Sequence, residues 1–140
     1  MSRTELIRTV RFRAVHHYRL PEWSDRENRN AFGDTAEPHG HDWTVEVTVS
    51  GPADPRTGFV VDLPALDAAL SEVVDPLREA SLNEVVARFR DGHELPSTEN
   101  LAAWLWDELQ GRIPGEAHLR RVRVFEDASL GAAYEGGDDA

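Results

Sequence analysis

Residues 39–49, HGHDWTVEVTV, carry the clearest structural pattern in the chain. From Trp43 onward, apolar side chains alternate with Thr and Glu, and a period of two predicts a strand with one buried face. An alternation of apolar residues with Arg and Thr over residues 10–15 predicts an earlier strand. Two more strands are expected near the end of the chain, over residues 119–125 and 132–134.

A first helix is predicted between these two pairs of strands. Asp62 is suited to the N-cap, and Pro64 falls in the first turn, where its missing N–H costs least. Apolar side chains then recur at helical spacing over residues 66–77. Pro76 is expected to kink or end this helix early.

A second helix is predicted after Pro96, with Ser97 or Thr98 as its cap and Gly111 as its stop. The element order is therefore strand, strand, helix, helix, strand, strand. This order predicts an α+β fold with a four-stranded antiparallel sheet and two helices on one face. Residues 19–38 are polar and are expected to form a long loop, of the kind that is usually functional or disordered.

The composition limits the possible functions. The chain has 140 residues, the length of one domain spanning residues 1–140, with a disordered tail expected at 136–140. Its 26 acidic and 15 basic residues give a net charge of −11, which disfavours binding to nucleic acid. The longest apolar run, residues 101–106, is too short to span a membrane. No basic segment followed by an apolar stretch opens the sequence, so a cytoplasmic protein is expected.

Two residue types are missing from the chain. It contains no Cys, and all 15 basic residues are Arg. Disulfides, thiolate ligands and thiol nucleophiles are therefore excluded, as are Schiff-base chemistry and the phosphate-binding lysine of P-loops. The groups left for chemistry are His, carboxylates, Arg and hydroxyls.

A pair of histidines, His39 and His41, opens the clearest strand. Residues i and i+2 of a strand point to the same face, so one metal ion could contact both imidazoles. His16 ends the preceding predicted strand and can join them if the two strands pair, whereas His17 should face the other way. Three His ligands with an open position are typical of catalytic zinc, with iron, nickel and cobalt as alternatives.

Short motifs occur in a fixed order between Phe12 and Tyr134. They are Phe12-Arg-Ala-Val-His16, His39-Gly-His41, Thr57-Gly-Phe-Val-Val-Asp62, Leu82-Asn83, Pro96-Ser-Thr-Glu-Asn-Leu-Ala102, and Glu126 at a strand end. This ordered set resembles the 6-pyruvoyl-tetrahydropterin synthase family, which includes 6-carboxytetrahydropterin synthase. The resemblance implies a tunnelling ββααββ fold (T-fold), assembled as trimeric barrels that stack into a homohexamer with active sites between subunits.

The resemblance also implies roles for particular residues. His16, His39 and His41 would bind Zn²⁺, and Glu126 would anchor a pterin. A carboxylate can accept both adjacent N–H groups of a 2-amino-4-oxopyrimidine edge, as it does from an Arg fork. Thr98 and Glu99 would help to hold the ring. Alternatively, Glu126 could be a surface residue at a strand end, and Thr98 and Glu99 could only cap a helix.

The chain departs from the family pattern at its proton-transfer residues. The family usually acts on dihydroneopterin triphosphate with a Cys shortly before His-Gly-His, and here that position is Thr35. Its Asp–His pair, which precedes Leu-Asn, is replaced by Arg78-Glu79. Glu37 and Glu79 are the candidate catalytic carboxylates, with Asp34 as a further one. Each could instead be a solvated surface group.

Three hypotheses therefore remain. The first is a zinc-dependent lyase of this family that acts on a pterin or a related bicyclic substrate with altered chemistry. The second is a genuine 6-pyruvoyl- or 6-carboxytetrahydropterin synthase with substitute residues. The third is a non-catalytic zinc- or ligand-binding protein. An enzyme is favoured, and Arg26 and Arg29 could bind a phosphorylated substrate.

Overall fold

The structure is a computed structural model that describes residues 4–137. Of the tail predicted to be disordered, residues 138–140 lie outside this range. Gly136 lies within it and packs against the indole ring of Trp106. None of the helices formed by residues 4–137 is both long and apolar enough to cross a membrane.

One sheet forms the centre of the fold. Its strands are β1 (Thr4–His16), β2 (His39–Gly51), β3 (Ala80–Ser81), β4 (His118–Asp127) and β5 (Leu130–Tyr134). They lie in the order β3-β1-β2-β4-β5. The four long strands pair antiparallel, as the alternation predicts, and each is longer than the segment that shows it.

The prediction of a four-stranded, purely antiparallel sheet is wrong in one respect. The short strand β3 adds a fifth strand, parallel to β1, with Ala80 beside Ala14 and Ser81 beside Val15. Two residues are too few to show any periodicity, so the sequence pattern contains no signal for this strand.

Five helices accompany the sheet within the described residues. They are α1 (Asp25–Phe32), α2 (Leu63–Val74), α3 (Leu82–Val85), α4 (Ala87–Arg90) and α5 (Thr98–Gln110), with 3₁₀ turns at Gly33–Ala36 and Asp75–Leu77. The two predicted helices, α2 and α5, are confirmed. Asp62 occupies the N-cap position of α2 without a capping hydrogen bond from its side chain, and the helix ends before Pro76. At α5 the Ser97 side chain accepts a hydrogen bond from the Asn100 N–H.

The predicted long loop at residues 19–38 is wrong, because α1 and a 3₁₀ turn form within it. Ser24 and Glu27 make a reciprocal capping box, which starts α1. The pattern Ser-x-x-Glu was visible in the sequence, but the helix is too polar to show an apolar stripe. Its one buried residue is Asn28, which is 1% exposed.

Asn28 holds this segment closed through its side-chain amide. Its Oδ1 accepts from the Leu20 N–H at 2.7 Å, and its Nδ2 lies within hydrogen-bonding distance of the Leu20, Trp23 and Ser24 carbonyls. Replacing Asn28 by alanine removes the partner of the Leu20 N–H and three contacts to carbonyls, and it leaves a cavity where a fully buried side chain was. We expect Asn28→Ala to lower the free energy of unfolding by about 2–3 kcal/mol. Urea titration measures this, with the exposed Asn30→Ala as the matched control, and equal midpoints for the two variants would contradict it.

The core lies between the sheet and helices α2 and α5. The inward side chains of β2, from Trp43 to Val49, are fully buried, as their alternation predicts. They join one continuous cluster with leucines of α2 and α5, including Leu66, Leu70, Leu101 and Leu105. Close packing of this kind fixes β1 and β2, the two strands that carry the predicted histidines.

Candidate metal centre

The pairing of β1 with β2 brings three histidines together. His16 and His39 are direct cross-strand partners at the ends of their strands, and His41 lies opposite Ala14. The ring centroids of the three imidazoles are 4.5, 5.0 and 5.1 Å apart. One ring nitrogen from each lies within 4.8 Å of the other two, a spacing at which the set could hold a metal ion.

Hydrogen bonds to backbone carbonyls fix the tautomers of two of these rings. The Nδ1 atom of His16 lies 2.7 Å from the Pro96 carbonyl oxygen, and that of His39 lies 2.8 Å from the Glu37 carbonyl oxygen. A carbonyl only accepts, so each Nδ1 carries the hydrogen and each Nε2 keeps its lone pair. Hydrogen bonding of this kind orients metal-binding histidines in known sites.

Two ring nitrogens of the cluster lack a hydrogen bond. The Nε2 atoms of His16 and His41 are buried and make no hydrogen bond. Leaving a buried polar atom unsatisfied costs about 1–3 kcal/mol, so such atoms need an explanation. A metal ion bound by the three imidazoles would satisfy them, and the donor set therefore fits zinc as well as iron, nickel or cobalt.

The environment of His16 favours its neutral form. Its side chain is fully buried, and burial lowers its pKa to about 4, with the neighbouring imidazoles acting in the same direction and the Pro96 carbonyl opposing them. At neutral pH the ring is therefore uncharged, which is the form that binds a metal ion.

Trp43 forms the floor of this cluster. Its ring lies edge-on to His16 and His41, with centroids at 5.0 and 5.4 Å. The indole is completely buried, and its Nε1 donates to the Ala14 carbonyl at 3.2 Å. The rings above it are therefore supported on a rigid apolar surface.

Glu126 faces the histidines from β4. Its Oε1 accepts a hydrogen bond from the Thr98 hydroxyl at 2.8 Å, and its Oε2 lies 3.6 Å from the Nε2 of His41. The Glu126 side chain is only 13% exposed, and Thr98 is buried at the start of α5. Glu126 is therefore held in place beside the histidines, in contrast to a solvated strand-end residue. Glu99, the next residue of α5, is exposed.

The candidate catalytic carboxylates are exposed and do not belong to the cluster. The backbone carbonyl of Glu37 orients His39. The Glu37 side-chain carboxylate is exposed and pairs with Arg29 at 2.6 Å. Asp34 is exposed in the 3₁₀ turn. Glu79 is also exposed, with a positive φ of 57°, and its N–H donates to the Arg13 carbonyl. Arg13 is three residues from His16, roughly 10 Å along the strand.

Two of the sequence motifs lie outside the histidine cluster. Asn83 accepts from the His17 N–H and donates to the His17 carbonyl, both at 3.0 Å, which fixes the backbone next to His16. His17 itself is not part of the cluster. The segment Thr57–Asp62 follows the far end of β2, so it lies roughly 40 Å along that strand from His39.

Tyr18 lies at the site and has no counterpart among the predicted site residues. Its ring packs edge-on against His16 at 5.1 Å and against His39 at 6.2 Å, and its other neighbour is Phe32 at 5.9 Å. The signal in the sequence is weak, because Tyr18 comes after β1 ends and no periodicity indicates its direction.

Comparisons with known proteins agree with this geometry. The family model described as 6-pyruvoyl tetrahydropterin synthase matches residues 5–137. The 6-pyruvoyl tetrahydrobiopterin synthase of Drosophila melanogaster is 36% identical over 135 residues, covering 94% of this chain and 79% of the relative. A dihydroneopterin monophosphate aldolase of Pyrococcus furiosus is 27% identical over 133 residues, covering 95% and 98%.

Comparison with solved structures indicates the same family. The structure of Caenorhabditis elegans 6-pyruvoyl tetrahydropterin synthase superimposes with a TM-score of 0.89 at 27% identity, covering 98% of each chain. An α+β fold with a three-histidine cluster at the end of two paired antiparallel strands thus defines the class. The chain belongs to the 6-pyruvoyl tetrahydropterin synthase family.

Proposed function

We propose that this chain is a zinc-dependent lyase that cleaves the hydroxylated side chain of a pterin. The observation that carries the proposal is the pair of buried Nε2 atoms without a hydrogen bond, on His16 and His41, with the Glu126 carboxylate 3.6 Å from the His41 atom. A set of side chains that could hold a metal ion and a fixed carboxylate thus lie in one site. A pterin with a hydroxylated side chain offers ring N–H groups to the carboxylate and side-chain hydroxyls to a bound metal ion.

Glu126 would bind the pterin ring. Its carboxylate can accept two adjacent N–H groups, and the Thr98 hydroxyl holds it in position. Glu99 would contribute at the exposed rim. The three histidines would hold Zn²⁺, which as a Lewis acid lowers the pKa of a bound hydroxyl. The proton transfers of the reaction would be carried out by side chains of the protein.

The reaction proposed is carbon–carbon cleavage. A base removes the proton of the hydroxyl on the second side-chain carbon, the bond to the first carbon breaks, and the first carbon takes up a proton. The products are a shortened pterin and an aldehyde. We propose Glu37 as the base, after release from Arg29, and Glu79 as a second carboxylate, acting in the site of a neighbouring copy.

The replacement of the family's Cys supports altered chemistry. At the corresponding position, the Thr35 hydroxyl donates to the Phe32 carbonyl at 2.5 Å, and a Thr hydroxyl is a poor proton carrier near neutrality. The Pyrococcus furiosus relative that is named an aldolase supports the same class of reaction. The similarity to the Drosophila melanogaster synthase favours a second candidate function, the usual synthase reaction.

An assay of the zinc-loaded full chain separates these possibilities. Dihydroneopterin triphosphate and monophosphate are supplied in turn, and the products are identified by mass spectrometry. We expect a shortened pterin together with an aldehyde, and loss of this activity in Glu37→Gln. A 6-pyruvoyl or 6-carboxy product would establish the second candidate instead. Zinc-dependent melting without any turnover would indicate a binding protein.

We also propose that the chain acts as one domain in a homohexamer. The strand β5 lies at one edge of the sheet, and β3 covers only two residues of β1 at the other edge. Open strand edges expose unpaired backbone groups, and pairing between copies would cover them. Light scattering during gel filtration measures the mass of the assembly.

A further inference from the structure

Tyr18 is the residue of the site that the proposed function leaves unused. It is the second residue after β1 ends, and its N–H donates to the Thr35 carbonyl at 2.9 Å. Two imidazoles and Phe32 surround its ring, and Phe32 in turn stacks on Trp23 at 6.1 Å. The ring therefore has a fixed position next to two of the proposed metal ligands.

The Tyr18 ring contacts two of the three histidines, and no hydrogen bond joins its hydroxyl to a described residue. Burial raises the pKa of Tyr18 to about 12, and the charges of Glu126 and Glu99 act in the same direction. The hydroxyl donor is therefore available to a ligand that reaches the histidines.

The hydroxyl of Thr35 cannot fill this role. Thr35 stands where the family has its Cys, but its hydroxyl is already donated to the Phe32 carbonyl. Tyr18 is tied to the same residue through the Thr35 carbonyl. The backbone thus places a phenol next to the position from which a thiol is missing.

We infer that the Tyr18 hydroxyl donates a hydrogen bond to an oxygen of the substrate's hydroxylated side chain and so selects pterins that carry one. This inference rests on the proposed function, since it takes the pterin ring to lie on Glu126 and the side chain to lie by the histidines. A ligand in that position would bring its side-chain oxygens next to the histidines and to the Tyr18 ring that packs on them. A site built to hydrogen-bond a ligand hydroxyl discriminates against analogues that lack it.

Binding measurements on two pterins test the inference without turnover. Neopterin carries the trihydroxypropyl side chain, and 6-methylpterin has the same ring without it. The zinc-loaded parent, Tyr18→Phe and Tyr134→Phe are titrated with each compound by calorimetry. Tyr134 is the other tyrosine of the chain, packs on Trp106 and provides the matched control.

We expect Tyr18→Phe to bind neopterin about five- to tenfold more weakly than the parent, the loss of one hydrogen bond. Its affinity for 6-methylpterin and its zinc content should equal those of the parent, as should all values for Tyr134→Phe. Equal loss for both pterins, or no loss for neopterin, would overturn the inference. A parent that binds both pterins but turns over neither phosphorylated substrate would refute the proposed reaction alone. A parent that binds neither pterin would overturn both.

Discussion

The His16→Ala variant should lose its bound metal and, with it, all measurable turnover. Known zinc sites with four ligands bind with about 10–16 kcal/mol, which corresponds to roughly 3 kcal/mol for each ligand. Removing one imidazole from a set of three should therefore weaken zinc binding by about two to three orders of magnitude. Competition with a chromophoric chelator measures the affinity, and elemental analysis measures the zinc content.

The control variants separate metal loss from unfolding. His16 is fully buried, so His39→Ala, at a partly exposed position, removes a ligand with less disturbance of the core. His93→Ala serves as the matched control, because that side chain is 82% exposed. Parent-like zinc affinity in a folded His39→Ala variant would show that these residues are not the metal ligands.

The Glu126→Gln variant should keep its zinc but lose its pterin. The amide retains one acceptor oxygen and presents an NH₂ group to a ligand N–H, so one charge-assisted hydrogen bond is lost and the other weakened. A loss of about 2–3 kcal/mol corresponds to roughly hundredfold weaker binding. Titration with 6-methylpterin measures this, since that compound depends on ring contacts alone.

Glu116→Gln is the matched control for this substitution. It makes the same change of charge at an exposed position, at the end of the sheet opposite the histidines. We expect its pterin affinity to stay within about twofold of the parent, because exposed charges contribute little. If Glu126→Gln and Glu116→Gln lost affinity equally, the net negative charge of the protein would be responsible, and Glu126 would not be a specific anchor.

The long elements of the fold were predictable because their patterns are long. The alternation from Trp43 to Val49 extends over enough residues to define a strand with one buried face, and that face is fully buried. Elements without an apolar pattern were missed. The polar helix α1 depends on the capping box at Ser24 and on one buried amide, and the strand β3 has only two residues.

In the candidate site, too, some features were predictable from the sequence and others were not. The His-Gly-His spacing and a strand partner ending in His16 were enough to predict the cluster that the structure contains. Glu126 was placed beside it by the resemblance, while its fixation by Thr98 required the packing of α5 against β4. The position of Tyr18 could not be predicted, because it depends on how residues 17–38 fold back over the histidines.

The location of the histidines on the paired strands β1 and β2 has a consequence for metal exchange. His16 and His39 end a ladder of backbone pairs that runs the whole length of β1 and β2, and Trp43 supports the rings from below. We therefore expect the apo chain to fold through backbone pairing and core packing, with the proposed ion entering a formed site as a late step. Cobalt, nickel or iron should then be exchangeable for zinc in one folded preparation, so that their rates can be compared in the same protein.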